Sequence, residues 1–334
     1  MINKFKIVTG LTPQDEISTV IKDGIDEVYC GYYDSRFNKK WPVAFTTVNR
    51  RGEGVNFKNF KDLAAKTRQL FKRGVKSFVT FNGCYTEEQY SWLIRNIKKT
   101  ETEKSIEGLI VNDIGLLLLL KKLKYKKNIT ISTLASAFNS SAVDFYKKFG
   151  ASRIVLDRQL TAAEIIETAV KYPELEFEVF VVSTGGCLFI DGYCSFFHCL
   201  EKPEKIIKGQ ILHIRKYDIT TSGAGCCELL NCFSKKQYSS NTQTQRFSLS
   251  KTLGFNCNIC MLYKLKNIKN ISLKIDSRGA NGTGVTGIEM LKDLLNAAEK
   301  SKNQKQYAAF AKKTLMKFKK IKCNPAICLC GGKL

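Results

Sequence analysis

A short apolar, β-branched run, a polar turn and an amphipathic helical stretch repeat along most of this chain, and that rhythm leaves few architectures open. The strand-like runs are "KFKIVTG" (4–10), "DEVYCG" (26–31), "KSFVTFN" (76–82), "EGLIVND" (107–113), "NITIST" (128–133), "SRIVLD" (152–157), "EFEVFVVS" (176–183) and "ISLKID" (271–276). Helical stretches lie between them. "NFKDLAAKTRQLFKRG" (59–74) has helical apolar spacing and ends on glycine, which suits a helix C-terminus. "SAVDFYKKFG" (141–150) reads the same way, and in "TAAEIIETAVKY" (161–172) Thr161 stands three residues before Glu164, the spacing of a capping box. "GIEMLKDLLNAAEK" (287–300) follows the last strand. Strands separated by single helices predict a parallel sheet with right-handed crossovers. A count near eight favours a closed α/β fold, a (β/α)8 TIM-barrel-like domain, over an open doubly wound sheet.

The rhythm breaks once. A Cys-rich insertion over 184–260, also rich in Ser, Thr, Gln and Asn, separates the seventh and eighth strands. Residues 1–300 therefore read as the barrel with its insertion, and 301–334 as a lysine-rich helix followed by the tail "CNPAICLCGGKL". Loops that leave strand C-termini form the active face of such barrels, so the insertion is expected there.

The charge balance narrows the partners. Against 30 acidic residues stand 54 basic ones, a net charge of +24 over 334 residues. Such a field attracts polyanions, and RNA, DNA or a phosphorylated substrate fit it; lysines scattered over solvated faces fit it as well. The N-terminal "MINKFKIVTG" has no long apolar region of a signal peptide, and the longest apolar run, "LLLLL" (116–120), is far too short for a bilayer. A soluble, cytoplasmic protein with no membrane partner is the expectation. In a reducing compartment 13 cysteines point to metal or redox chemistry rather than to disulfides.

The thiols concentrate in the insertion. Cys187 and Cys194 have six residues between them, Cys199 and His198 follow, then Cys226, Cys227 and Cys232, and "CNIC" supplies Cys257 and Cys260. Thiolates from several segments of one insertion can converge on an iron–sulfur cluster. Zinc is the alternative, but structural zinc sites usually show two short knuckles and only one CxxC is present. In "LKIDSRG" (273–279) Lys274, Asp276 and Arg278 alternate, which puts them on one face of the eighth strand; they read as an ion-paired set at the polar barrel mouth. Cys30, Cys84, Asp157 and Arg158 also stand at strand ends. "GTGVTG" (282–287) satisfies GxGxxG, but it follows the last strand instead of filling the first βα turn; an anion pocket or a plain glycine loop fits better than a dinucleotide site. His198 and His213, the only histidines, lie in no hydrolase motif.

Three stretches resemble the collagenase-like proteins of peptidase family U32. They are "NITISTLASAFNSSAVDFYKKFGASRIVLDRQLTAAEI" (128–165), "EVFVVSTGGCLFIDGYC" (178–194) and "CNICMLYKLKNIKNISLKIDSRG" (257–279). The resemblance implies a 4Fe–4S cluster on Cys187, Cys194, Cys227 and Cys257, with Cys226 and Cys260 as alternatives to the last two. It also implies oxygen-independent hydroxylation of a tRNA or rRNA base, or of a quinone precursor, with prephenate as hydroxyl source for the RNA-acting branch. This chain reads "AGCC" where the family has an arginine before its third cysteine, and "VSTGG" where His-Gly is usual, the marks of a divergent, short subgroup. Lys274, Asp276 and Arg278 are then expected to orient an anionic co-substrate. A peptidase, as the family label says, and a non-catalytic metal-binding scaffold subunit are the competing expectations.

Overall fold

The computed structural model describes residues 5–41, 48, 55–181, 192, 257–275, 283–319 and 322–323. Eight parallel strands close on themselves in sequence order: β1 (Lys6–Gly10), β2 (Glu27–Cys30), β3 (Lys76–Phe81), β4 (Gly108–Val111), β5 (Asn128–Ile131), β6 (Arg153–Val155), β7 (Glu176–Phe180) and β8 (Ile271–Ile275). Closure is made by β8 against β1, where Leu273 stands opposite Ile7 and Lys274 opposite Val8. Each strand falls inside one of the eight runs read from the sequence, and the (β/α)8 expectation holds.

Helices alternate with these strands. In chain order they are α1 (Ile17–Lys22), α2 (Ser35–Lys40), α3 (Phe60–Phe71), α4 (Tyr90–Thr102), α5 (Ile114–Lys122), α6 (Ser140–Lys148) and α7 (Ala162–Lys171). The short α8 (Leu262–Leu265) precedes β8, and α9 (Thr283–Lys300) and α10 (Gln304–Lys319) follow it. The local chemistry starts them where they start. Asn59, Asp113 and Asn139 side chains accept from Asp62, Leu116 and Ala142 N–H groups at 3.0, 2.7 and 3.0 Å, satisfying donors that the first helical turn leaves orphaned. Thr161 and Glu164 form the capping box their spacing predicted. One boundary differs from the sequence reading: α9 begins at Thr283, so Gly284 and Gly287 lie within a helix and not in a glycine loop ahead of it. A Cβ at Gly287 would come within 3.2 Å of Ile275 Cγ2, so absence of a side chain lets this helix lie close on β8.

Strand alternation sorts the side chains into two cores. Val28, Cys30, Val79, Leu109, Ile131, Ile154, Val179 and Leu273 belong to the large cluster beneath the helices. Val8, Tyr29, Phe78 and Ile110 form a smaller one inside the barrel. The C-terminal α10 packs on the barrel's closing segment, where Tyr307 Oη donates to the Ile259 carbonyl at 2.9 Å and Gln304 Nε2 to that of Cys260 at 3.0 Å. Among the described residues no helix is long and apolar enough to cross a membrane.

Candidate functional site

The barrel interior is charged to a degree that its strands concealed. Glu27, Arg153 and Glu176 open β2, β6 and β7 at the strand-entry end, and Lys6 opens β1 beside them. Arg153 Nη1 bonds Glu27 at 2.6 Å and Glu178 at 3.3 Å, while Nη2 bonds Glu27 at 3.0 Å and Glu176 at 2.9 Å. Lys6 reaches Glu176 at 2.9 Å. Burial alone would lower the Arg153 pKa, but the three carboxylates outweigh it and hold the guanidinium charged. Burial likewise raises the Glu176 carboxyl, and Arg153 and Lys6 override it, leaving its pKa below the ordinary value.

One step further along the barrel, Glu178 accepts from Lys274 Nζ in a buried pair. Lys274 therefore points inward, the choice that alternation left between interior and helix layer. Its ammonium lies 3.8 Å from the Tyr29 ring centre and 5.6 Å from that of Phe180, so it rests among π-faces as well as against a carboxylate. Its ion partner here is Glu178; Asp276 and Arg278 lie outside the described residues.

The C-terminal mouth gathers groups from several strand ends. Asp157 and Arg158 follow β6 and are buried. Thr133 Oγ1 approaches Asp157 Oδ1 at 3.5 Å, and the Arg158 guanidinium lies 3.7 Å over the Phe180 ring at the end of β7. Asn258 donates to the Phe180 carbonyl, which brings its neighbour Cys257 to the same end of the barrel. Cys257 and Cys260 are both buried. Gly192, midway between Cys187 and Cys194 in sequence, lies against the loop after β5: a Cβ there would overlap Ser136 Oγ and come within 2.7 Å of the Leu134 carbonyl oxygen. Cys187, Cys194, Cys226 and Cys227 lie outside the described residues, as do Cys199, Cys232, His198 and His213.

The remaining cysteines separate. Cys30 is wholly buried in the core beneath the helices, its Sγ 3.8 Å from the Phe78 carbonyl oxygen, and plays a packing role. Cys84 is exposed after β3; burial of its sulfur, then the nearby Asp113 carboxylate, push its thiol pKa up in spite of a hydrogen bond with Asn112. The Arg153–Glu27–Glu176–Glu178 network escaped the sequence reading. Its signal was present, since Glu176 and Glu178 alternate along "EFEVF" on one face, but its partners sit on distant strands.

Of the candidate cluster ligands, the described residues place Cys257 at this mouth, beside the end of β7, and Gly192 against the loop after β5. Among the described residues alone, no three His, Cys, Asp or Glu side chains converge on a metal position.

Comparison with known proteins gives this arrangement a family. The chain is 29% identical over 143 residues to tRNA hydroxylation protein P of Escherichia coli, a match covering 41% of this chain and 31% of that protein. It is 24% identical over 164 residues to a collagenase of Porphyromonas gingivalis, covering 49% of this chain and 36% of that one. The matched segments thus span about a third of the length of these relatives. A solved U32 peptidase shares the fold at a TM-score of 0.50 and 11% identity, covering 82% of this chain and 94% of that one. The model of peptidase family U32 matches residues 14–327, nearly the whole chain, and the protein belongs to that family.

Proposed function

We propose that this protein carries out, or assists, oxygen-independent hydroxylation of an RNA base. The observation that carries the reading is its likeness to tRNA hydroxylation protein P, and its net charge of +24 suits a nucleic-acid substrate. Cys187, Cys194, Cys227 and Cys257 would hold a 4Fe–4S cluster at the C-terminal mouth, with Cys226 and Cys260 as alternative ligands. A bound cluster supplies electron transfer or a coordination position at iron. The chain's own residues would do the positioning. Lys274, fixed by Glu178 and Tyr29, together with Asp276 and Arg278, would orient an anionic co-substrate such as prephenate.

The family label and the collagenase relative favour a second reading, a peptidase. Such an enzyme needs an activated nucleophile. Cys84 has its thiolate disfavoured, and Cys30, Cys257 and Cys260 are buried, so none of these thiols suits that part.

Anaerobic purification with iron, sulfide and zinc analysis separates the readings. Iron and sulfide in cluster proportion, with visible absorption lost in Cys194→Ser, are expected; a colourless protein with stoichiometric zinc would end the cluster assignment. Nucleoside mass spectrometry of RNA from cells with and without the protein should show one nucleoside losing a single added oxygen. An unchanged nucleoside profile beside cleavage of a collagen-type peptide would turn the reading to the peptidase.

A further inference from the structure

The helices of a (β/α)8 barrel run antiparallel to its strands, so each helix-to-strand turn lies at the end opposite the candidate site. Two neighbouring helix ends there, the last residues of α5 and α6 with the turns that follow them, carry Lys121, Lys122, Lys124, Lys126, Lys147 and Lys148, all exposed. The turns adjoin because β5 pairs with β6, and Lys121 Nζ donates to the Lys148 carbonyl at 3.0 Å. Lys147 pairs with Glu174, whereas Lys122, Lys124, Lys126 and Lys148 form no ion pair among the described residues. Lys127 differs from them: its ammonium is tied to the carbonyls of Thr100, Glu103 and Ile106 at 2.9, 2.6 and 2.7 Å, a structural role.

Lys124 marks this patch as more than scattered charge. The turns after α1, α3, α5 and α6 close with the same pair of backbone bonds, in which the residue at the left-handed position donates three residues back and the next donates five back. Three of them put glycine at that position, Gly24, Gly74 and Gly150, with φ of 66°, 80° and 95°. The fourth puts Lys124 there at φ 52°, where a Cβ is strained. The attraction of cations to helix C-termini explains Lys121 and Lys122. It does not explain a lysine beyond the helix end in a conformation its sister turns give to glycine. Aromatic rings adjoin the charges. Phe145, 37% exposed, lies 4.8 Å from Phe149, over which Lys121 Nζ sits at 4.7 Å.

We infer that this lysine patch docks the phosphate backbone of an RNA, with Phe145 offering a stacking face to an unpaired base. The inference rests on the RNA reading above and adds where the polyanion is held. The longest strand has six residues, about 20 Å of barrel, a span that a folded RNA bridges while a second part of it enters the mouth.

The test is salt-dependent binding of a tRNA transcript to the full chain. The variant Lys122→Gln/Lys124→Gly/Lys126→Gln removes three charges and relieves the strained turn, so the fold is kept; its melting temperature verifies that. A control, Lys305→Gln/Lys312→Gln/Lys313→Gln, removes equal charge from exposed positions on α10. The patch variant should bind at least tenfold more weakly at low salt, with the slope of log K against log salt shallower by about 2–3, and the control much less affected. Equal losses in both variants, or no loss in the patch variant, would overturn the patch while leaving RNA as substrate. Wild-type protein that fails to bind the transcript at low salt would sink the RNA reading with it. Loss of binding to phosphatidylserine vesicles, without loss of RNA binding, would reassign the patch to a membrane surface.

Discussion

Lys274 shows how a single residue is fixed by what faces it. A buried ammonium is tolerable only when its charge is matched, and Glu178, wholly buried, matches it. Glu178 also touches Arg153, but Arg153 keeps Glu27 and Glu176 when Glu178 is lost. Glu178→Gln should therefore strand chiefly Lys274 and destabilise the barrel by about 3–5 kcal/mol. The double variant Glu178→Leu/Lys274→Met removes both charges together and should recover most of that loss. Urea unfolding of the two variants checks it; a double variant no better than Glu178→Gln would mean that the pair is not the coupled unit.

At the scale of elements, strands and helix caps were legible because they are local. β-branched runs and an N-cap three residues ahead of its partner are read within one window, and Thr161–Glu164 closes as its spacing required. The interior network was not legible, since Arg153 and Glu27 lie 126 residues apart and only barrel closure brings them together. Closeness of approach was equally hidden. Gly108 begins β4 opposite Asn128, and a Cβ there would overlap the Asn128 carbonyl oxygen and come within 2.9 Å of its carbon. Gly108→Ala should cost about 1–3 kcal/mol by prising β4 from β5, measured as a lowered unfolding midpoint. Of the candidate site, the sequence supplied the thiols, and the structure adds where their segment touches the barrel. Gly192 makes that contact, so Gly192→Ala should lower iron content after anaerobic reconstitution yet leave the barrel's melting temperature near wild type. A lowered melting temperature with full iron content would show that the contact serves the barrel alone.

The whole molecule carries +24, and its acid stability depends on how that excess meets the network closing the barrel. Lys6, Glu27, Arg153, Glu176, Glu178 and Lys274 join β1, β2, β6, β7 and β8 through three cations and three carboxylates, a balanced set across the seam. Glu176 has a folded pKa below its unfolded value, because Arg153 and Lys6 favour its charged form more than burial opposes it. For a depressed carboxylate the native state binds fewer protons than the unfolded chain. Its contribution is present in full above the unfolded value of about 4.3, and it is lost as pH falls through the lower folded value. Glu103, held low by the Arg68 hydrogen bond, and Glu174, held low by Lys147, act with the same sign. Stability should hold level from neutral pH to about pH 5 and then fall steeply. Self-repulsion of an already cationic chain grows over the same range, but it is long-ranged, and salt at about 0.5 M screens it far more than the partly buried Glu176 pairs. Urea titrations at high salt should therefore keep an acid limb that Glu176→Gln flattens. An acid limb abolished by salt in the wild type would assign the loss to net charge and not to the carboxylates of the barrel seam.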